Sequence, residues 1–76
     1  MATKAFVLIE TNVGRTKEVV GALSKLKGVV EVDMVTGPYD AIAILEGETL
    51  SEIGDMVVAK IHTVSGISRT VTCLTM

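Results

Sequence analysis

The apolar positions of this chain change period repeatedly, and Gly or Pro stands at most of the joints. Lys4 to Thr11 (KAFVLIET) is rich in β-forming residues and predicts a first strand. Ala5, Val7 and Ile9 alternate with Phe6 and Leu8, so both faces are apolar. That is the pattern of a central strand with something packed on each side. Asn12 to Gly14 breaks the strand. Val19, Val20, Leu23 and Leu26 then recur at helical spacing and predict a helix from about Arg15 to Lys27. Arg15, Lys17, Glu18, Ser24 and Lys25 take its wet side. Gly28 stands where a left-handed C-terminal cap is expected, with Lys25 and Lys27 complementing the helix dipole.

Val29 to Thr36 predicts a second strand, with Val30, Val32 and Met34 on a buried face and Glu31 and Asp33 on a wet one. Gly37-Pro38-Tyr39-Asp40 carries Pro at the second position of a reverse turn and predicts a hairpin. Its other arm, Ala41 to Glu46, is again apolar on both sides: Ala41, Ala43 and Leu45 against Ile42 and Ile44. Thr49-Leu50-Ser51-Glu52 reads as a capping box. It opens a helix to about His62 that turns Leu50, Ile53, Val57 and Ile61 inward, with Gly54 permitting close packing on the sheet. Ser65-Gly66 restarts the chain. Ile67 to Met76 alternates as a last strand, with Ile67, Val71 and Cys73 on one side and Ser68, Thr70, Thr72 and Leu74 on the other.

The order βαββαβ predicts an α+β, ferredoxin-like fold: two right-handed crossovers joined by a hairpin. A four-stranded antiparallel sheet carries two helices on one face, with strands one and three in the centre. Those are the two strands read above as apolar on both faces. Two helices cover one face only, so a broad apolar patch remains on the other. Monomers rarely leave more than a few hundred Å² of such surface open. Burying ~600 Å² of it per subunit would contribute on the order of 15 kcal/mol before association costs. A homodimer with sheets packed face to face, an αβ sandwich, is therefore expected; the alternative is a monomer whose open face is half covered by Lys and Met side chains.

Size points the same way. The 76 residues form one domain, 1–76. A chain this short buries only ~60% of the surface its unfolded form exposes. With one Cys it closes no internal disulfide, and with one Cys and one His it cannot complete a structural zinc site. A partner subunit is the remaining support. The net charge of −2 argues against a nucleic-acid footprint. The apolar run Ala5 to Ile9 stops at Glu10, too short for a membrane span and without the layout of a signal peptide. A cytoplasmic location is expected.

No phosphate loop, CxxC, HExxH or GxSxG occurs, and no catalytic residue, metal or cofactor is assigned. Cys73 shares a strand side with Val71 and reads as inert core. His62, after the last turn of the second helix, reads as a capping or solvated residue. Glu52 and Asp55 read as a solvated helix face, and Glu31 and Asp33 as edge-strand charges that block aggregation. The RNA-binding variant of this topology needs stacking aromatics on strands one and three. Here the first strand has Phe6 alone and the third has none. A metal-chaperone variant needs a Cys pair where Asn12-Val13-Gly14 stands. An acylphosphatase-like variant needs an anion-binding loop there, for which Arg15 alone is not a pattern.

The turn Thr36-Gly37-Pro38-Tyr39-Asp40 and the hydroxyl-rich last strand remain. Asp40 is an acceptor suited to an ammonium group, and Gly37 lets backbone N–H groups approach a carboxylate. Tyr39 offers a ring and a hydroxyl, and Ser68, Thr70 and Thr72 offer neutral donors and acceptors. These are parts from which an α-amino acid site could be built. They are also the residues that a tight turn selects.

Gly28-Val29-Val30-Glu31-Val32 after a helix, then Thr36-Gly37-Pro38-Tyr39-Asp40 and an apolar strand, resembles the effector-sensing module of the Lrp/AsnC transcription regulators, the RAM domain. Ile61 through Gly66-Ile67, with the threonine-rich strand after it, is similar to the closing segment of that module. The resemblance covers essentially the whole chain. It implies a ferredoxin-like fold, sheet-to-sheet dimers, and rings of four or five dimers (octamers or decamers) that bind an amino acid or similar small effector between dimers. By position the effector contacts would be Gly37, Tyr39 and Asp40, with Thr70 and Thr72. The chain begins at strand one, without a helix-turn-helix, so it looks like a stand-alone RAM protein. Such a protein would not bind DNA directly and could modulate a full-length Lrp/AsnC regulator by co-assembly. Ser65 stands where the family often has proline, a change confined to a loop.

Two other classes share the topology. A cofactor-free dimeric monooxygenase or isomerase needs an acid, a base or an aromatic set, for which His62 is the conventional candidate. An ACT-type amino-acid-binding subunit typically places its key glycine after strand one, where Gly14 could serve.

Overall fold

The computed structural model describes residues 3–75. The chain order is β1 (Thr3–Thr11), α1 (Thr16–Ser24), β2 (Val29–Met34), β3 (Ala41–Gly47), α2 (Leu50–Met56), a π-helical turn (Val57–Ile61) and β4 (Ile67–Leu74). The strands form one antiparallel sheet in the order β2-β3-β1-β4. This is the ferredoxin-like βαββαβ arrangement, with β1 and β3 central.

The two doubly apolar strands divide cleanly. Ala5, Val7 and Ile9 of β1 and Ala41, Ala43 and Leu45 of β3 are fully buried under the helices. Val19 and Leu23 from α1, Ile53 and Met56 from α2, and Val57 and Ile61 from the π-helical turn close that core. Each larger aliphatic side chain sealed there contributes about 1.5–3 kcal/mol. Phe6, Leu8, Ile42 and Ile44 point to the helix-free face and are only half-buried.

Several elements differ from the sequence pattern. Helix α1 ends at Ser24 rather than near Lys27. Tight bonds from Leu26 N to Leu23 O and from Val29 N to Leu26 O wind the chain out of it. Gly28 does adopt the left-handed region (φ 97°), but in the connection to β2 and not as the helix cap. A Cβ at Gly28 would fall 2.8 Å from the Met56 sulfur, so the glycine also makes room for α2.

In β2 the register to β3 shifts between Val29 and Glu31. The extra residue puts Val29 and Val32, not Val30, against the core, and leaves Val30 58% exposed. Met34, beyond the helix cover, is also exposed. The Thr49 hydroxyl accepts the Glu52 N–H (3.1 Å) and caps α2, which is the hydroxyl half of the expected box. Leu50, however, lies on the outer side of that first turn, 58% exposed, and Met56 fills the inner face instead. Gly54 is exposed and a Cβ there would meet nothing within 4 Å, so it serves no close packing.

The β1–β4 register shifts between Glu10 and Thr11. The shift rotates Ile67 onto the core side, away from Val71 and Cys73. Val71 and Cys73 pair with Leu8 and Phe6 on the helix-free face, and Cys73 is exposed rather than core.

Candidate functional site

The β2–β3 connection is shaped by its own hydrogen bonds and by β1. Gly37 lies at φ 122°, which only a glycine adopts without strain. Val35 N donates to Asp40 O (3.0 Å) and closes the loop, while Asp40 N donates to Ile9 O (2.8 Å) and pins it to the central strand. The Asp40 carboxylate is then fixed through one oxygen. Oδ2 accepts the Thr11 N–H at 2.8 Å and the Thr11 hydroxyl at 3.2 Å. The Thr11 hydroxyl has spent its proton on Asp40, so at 2.7 Å it accepts from the hydroxyl of Thr16, the first residue of α1. A relay Thr16 to Thr11 to Asp40 therefore ties three elements together. At this part-exposed site, where water competes for the same groups, such bonds contribute about 1 kcal/mol each.

Asp40 borders an open hollow of about 720 Å³ lined by Thr16, Met34, Val35, Thr36 and Asp40. The sequence singled out Thr36 and Asp40 in this lining. Thr11 and Thr16 carried no signal beyond their residue type, since nothing local reveals that a strand end and a helix start meet a turn 29 residues away from Thr11. Tyr39 is half-buried and Gly37 exposed in the same turn, outside the lining of the hollow.

Thr70 and Thr72 lie elsewhere. They pair with Ile9 and Val7 across the β1–β4 ladder and so share the helix-side face. Thr70 is half-buried and its hydroxyl is 3.2 Å from His62 Nε2; Thr72 is exposed. Asp40 and Thr70 thus flank Ile9 from opposite sides, about 10 Å apart by two inter-strand spacings. Within one chain the five expected contact residues form two groups, not one pocket.

The other candidates have structural partners or open surroundings. Arg15 is held by Glu18 and donates to Ser65 Oγ (3.2 Å), which fastens the Ser65-Gly66 loop to the start of α1. A Cβ built at Gly14 meets nothing within 4 Å. Among the described residues, no three His, Cys, Asp or Glu side chains cluster as metal ligands, and no helix is long and apolar enough to cross a membrane. On the helix-free face Arg69 pairs with Glu10 at 3.5 Å beside Leu8. At its β2 edge, hydrogen bonding to Asp33 and then repulsion from it raise the Glu31 carboxyl above its ordinary value, against a smaller opposing pull from Lys4.

The family model described as the Lrp/AsnC ligand binding domain matches residues 4–76. The chain belongs to this family. The RAM domain thus extends over nearly the whole sequence, and the family is regulatory. A curated relative, an uncharacterized HTH-type transcriptional regulator of Pyrococcus furiosus, is 36% identical over 75 residues. That match takes in 95% of this chain and 50% of the relative, so the RAM chain spans half the length of that regulator. Among solved structures, TTHA0845 of Thermus thermophilus is 36% identical with a TM-score of 0.92, covering 97% of this chain and 92% of that one. A transcriptional regulator of Neisseria meningitidis, described as an L-Met complex, shares the RAM fold at 13% identity and a TM-score of 0.86, over 97% of this chain and 49% of that one.

Proposed function

We propose that this chain is an effector-sensing RAM module that assembles through the helix-free face of its sheet and binds an α-amino acid at sites completed between copies. The observation that carries the reading is the Asp40 carboxylate, set at the rim of the hollow with one oxygen held by Thr11. Its other oxygen is left to receive an ammonium group. The exposed backbone at Gly37 would meet the carboxylate of the same ligand, and Tyr39, outside the lining of the hollow itself, would border the pocket once a second copy completes it. Thr70 and Thr72 are too far from Asp40 to share one small ligand within a chain, so a second copy supplies them. The apolar face formed by Phe6, Leu8, Ile42, Ile44 and Val71 is the surface through which the basic dimer forms. Dimers then associate into the higher oligomer, of four or five dimers, that brings turn and β4 together.

In such an assembly the ligand acts by changing how dimers associate. A bound amino acid would tighten contacts between dimers and alter the state of a full-length Lrp/AsnC regulator co-assembled with this module. An L-Met complex of a distant relative with this fold supports the ligand class. Calorimetry of the intact oligomer against the twenty amino acids tests the reading. Saturable binding by one or a few of them is expected. No binding by any of them would leave a structural or partner-binding role.

A further inference from the structure

His62 is the one histidine of the chain. It stands directly after the π-helical turn, and its Nε2 lies 3.2 Å from the Thr70 hydroxyl. Thr72 follows Thr70 on the same face of β4, and both His62 and Thr72 are exposed. His62 and Thr70 thus touch on the helix side of an edge strand, with Thr72 about 7 Å further along the same face by two strand rises, next to the buried Val7 and Ile9 of β1. The local fold makes no use of them beyond the His62–Thr70 bond.

We propose that His62, Thr70 and Thr72 form the part of the ligand site that reads the ligand's side chain, and that they select an amino acid whose side chain ends in an amide or a carboxylate. The inference rests on the reading above, in which the Gly37–Asp40 turn of a second copy holds the ammonium and carboxylate groups. The ligand's side chain then extends from that turn onto this patch. Two hydroxyls and an imidazole offer both donors and acceptors within one small area. An amide or carboxylate end satisfies them in place of water. An aliphatic end would strip their water and return nothing, and sites built to hydrogen-bond a ligand reject apolar analogues strongly for that reason. His62 is a binding residue here and not a catalytic one. The sequence pattern reads it only as a capping or solvated group, because Thr70 is brought to it by the fold.

A single histidine makes the test direct, because its imidazole C2 proton reports on this patch without any substitution. The intact oligomer is titrated with L-Asn, L-Gln, L-Asp and L-Glu, and separately with L-Leu, L-Val and L-Met. Affinity is read by calorimetry and the His62 resonance by NMR. At least one polar amino acid is expected to bind about tenfold or more tighter than any aliphatic one, and to shift the His62 resonance as it saturates. His62→Ala, at an exposed position that leaves the core intact, should weaken that binding about tenfold, and His62→Gln should retain more of it. Comparison of the amide and acid arms identifies which end the patch takes. Aliphatic binding of equal or greater strength, or binding that leaves both the His62 resonance and the His62→Ala affinity unchanged, overturns the inference while the amino-acid sensor stands. If no amino acid binds the oligomer, the sensor reading fails and takes this inference with it.

Discussion

Asp40 and Thr11 are joined twice: one carboxylate oxygen accepts both the backbone N–H (2.8 Å) and the hydroxyl (3.2 Å) of Thr11. The pair locks the turn after β2 onto the end of β1, and it orients the group proposed to meet a ligand. Asp40→Ala should therefore cost about 2 kcal/mol in urea unfolding, from one charged acceptor lost and a part-buried N–H left unpaired. Thr11→Val, which keeps the N–H bond, should cost about 1 kcal/mol. Equal costs for the two would show that the backbone bond contributes nothing.

Two glycines should respond to alanine in opposite directions. At Gly28, φ is 97° and a Cβ would press on the end of the Met56 side chain, so Gly28→Ala should destabilise by about 2 kcal/mol. Gly54 lies inside α2 with open space where a Cβ would go. Gly54→Ala should stabilise by about 0.5–1 kcal/mol, because the unfolded chain loses freedom that the helix never used. Thermal unfolding of both variants at one pH checks the signs.

The helix-free face predicts its own disruption. Ile44 is half-buried there, between Phe6 on β1 and Glu31 on β2. Ile44→Lys should leave the fold intact by circular dichroism and shift the protein toward its 8.0 kDa monomer in sedimentation at micromolar concentration. A wild-type chain already monomeric under those conditions would remove the assembly on which the ligand site depends.

Glu31 supplies a pH dependence of known sign. Its carboxyl titrates above the ordinary 4.5 because Asp33 bonds to it and repels its charge. The folded state therefore binds more protons than the unfolded state in this range. The resulting stabilisation is complete below pH 4.5 and is lost as pH rises through the folded value. Glu31→Gln should flatten that part of the stability profile, and Asp33→Asn should do so as well by removing the cause. Urea unfolding of the three proteins in steps from about pH 4 upward is the measurement. A Glu31→Gln profile parallel to wild type would show the pair to be uncoupled.

Order and burial were legible along the chain because they follow from periodicity. The pleat sends alternate residues of β1 and β3 to opposite faces, so two apolar sets on one strand already require cover on both sides. The Gly and Pro joints mark where the period changes. The errors lie where periodicity breaks. An extra residue in β2 turned Val30 outward, the shift beside Glu10 turned Ile67 inward, and an early end to α1 freed Gly28 from its expected role. Such slips depend on pairing with distant strands, and a local pattern is blind to them.

The amino-acid order alone specified the strands, the helices, the central pair and a helix-free apolar face, since each arises from neighbours within a few residues. The tertiary fold alone decided which set that face displays, Phe6, Leu8, Ile42 and Ile44 rather than the small alanines, because helix packing selects the side that fits. It alone brought Thr11 and Thr16 to Asp40, and His62 to Thr70. It also held Asp40 and Thr70 on opposite sides of β1. Contacts between residues far apart in the chain come from sheet order and register, which no short stretch of sequence encodes.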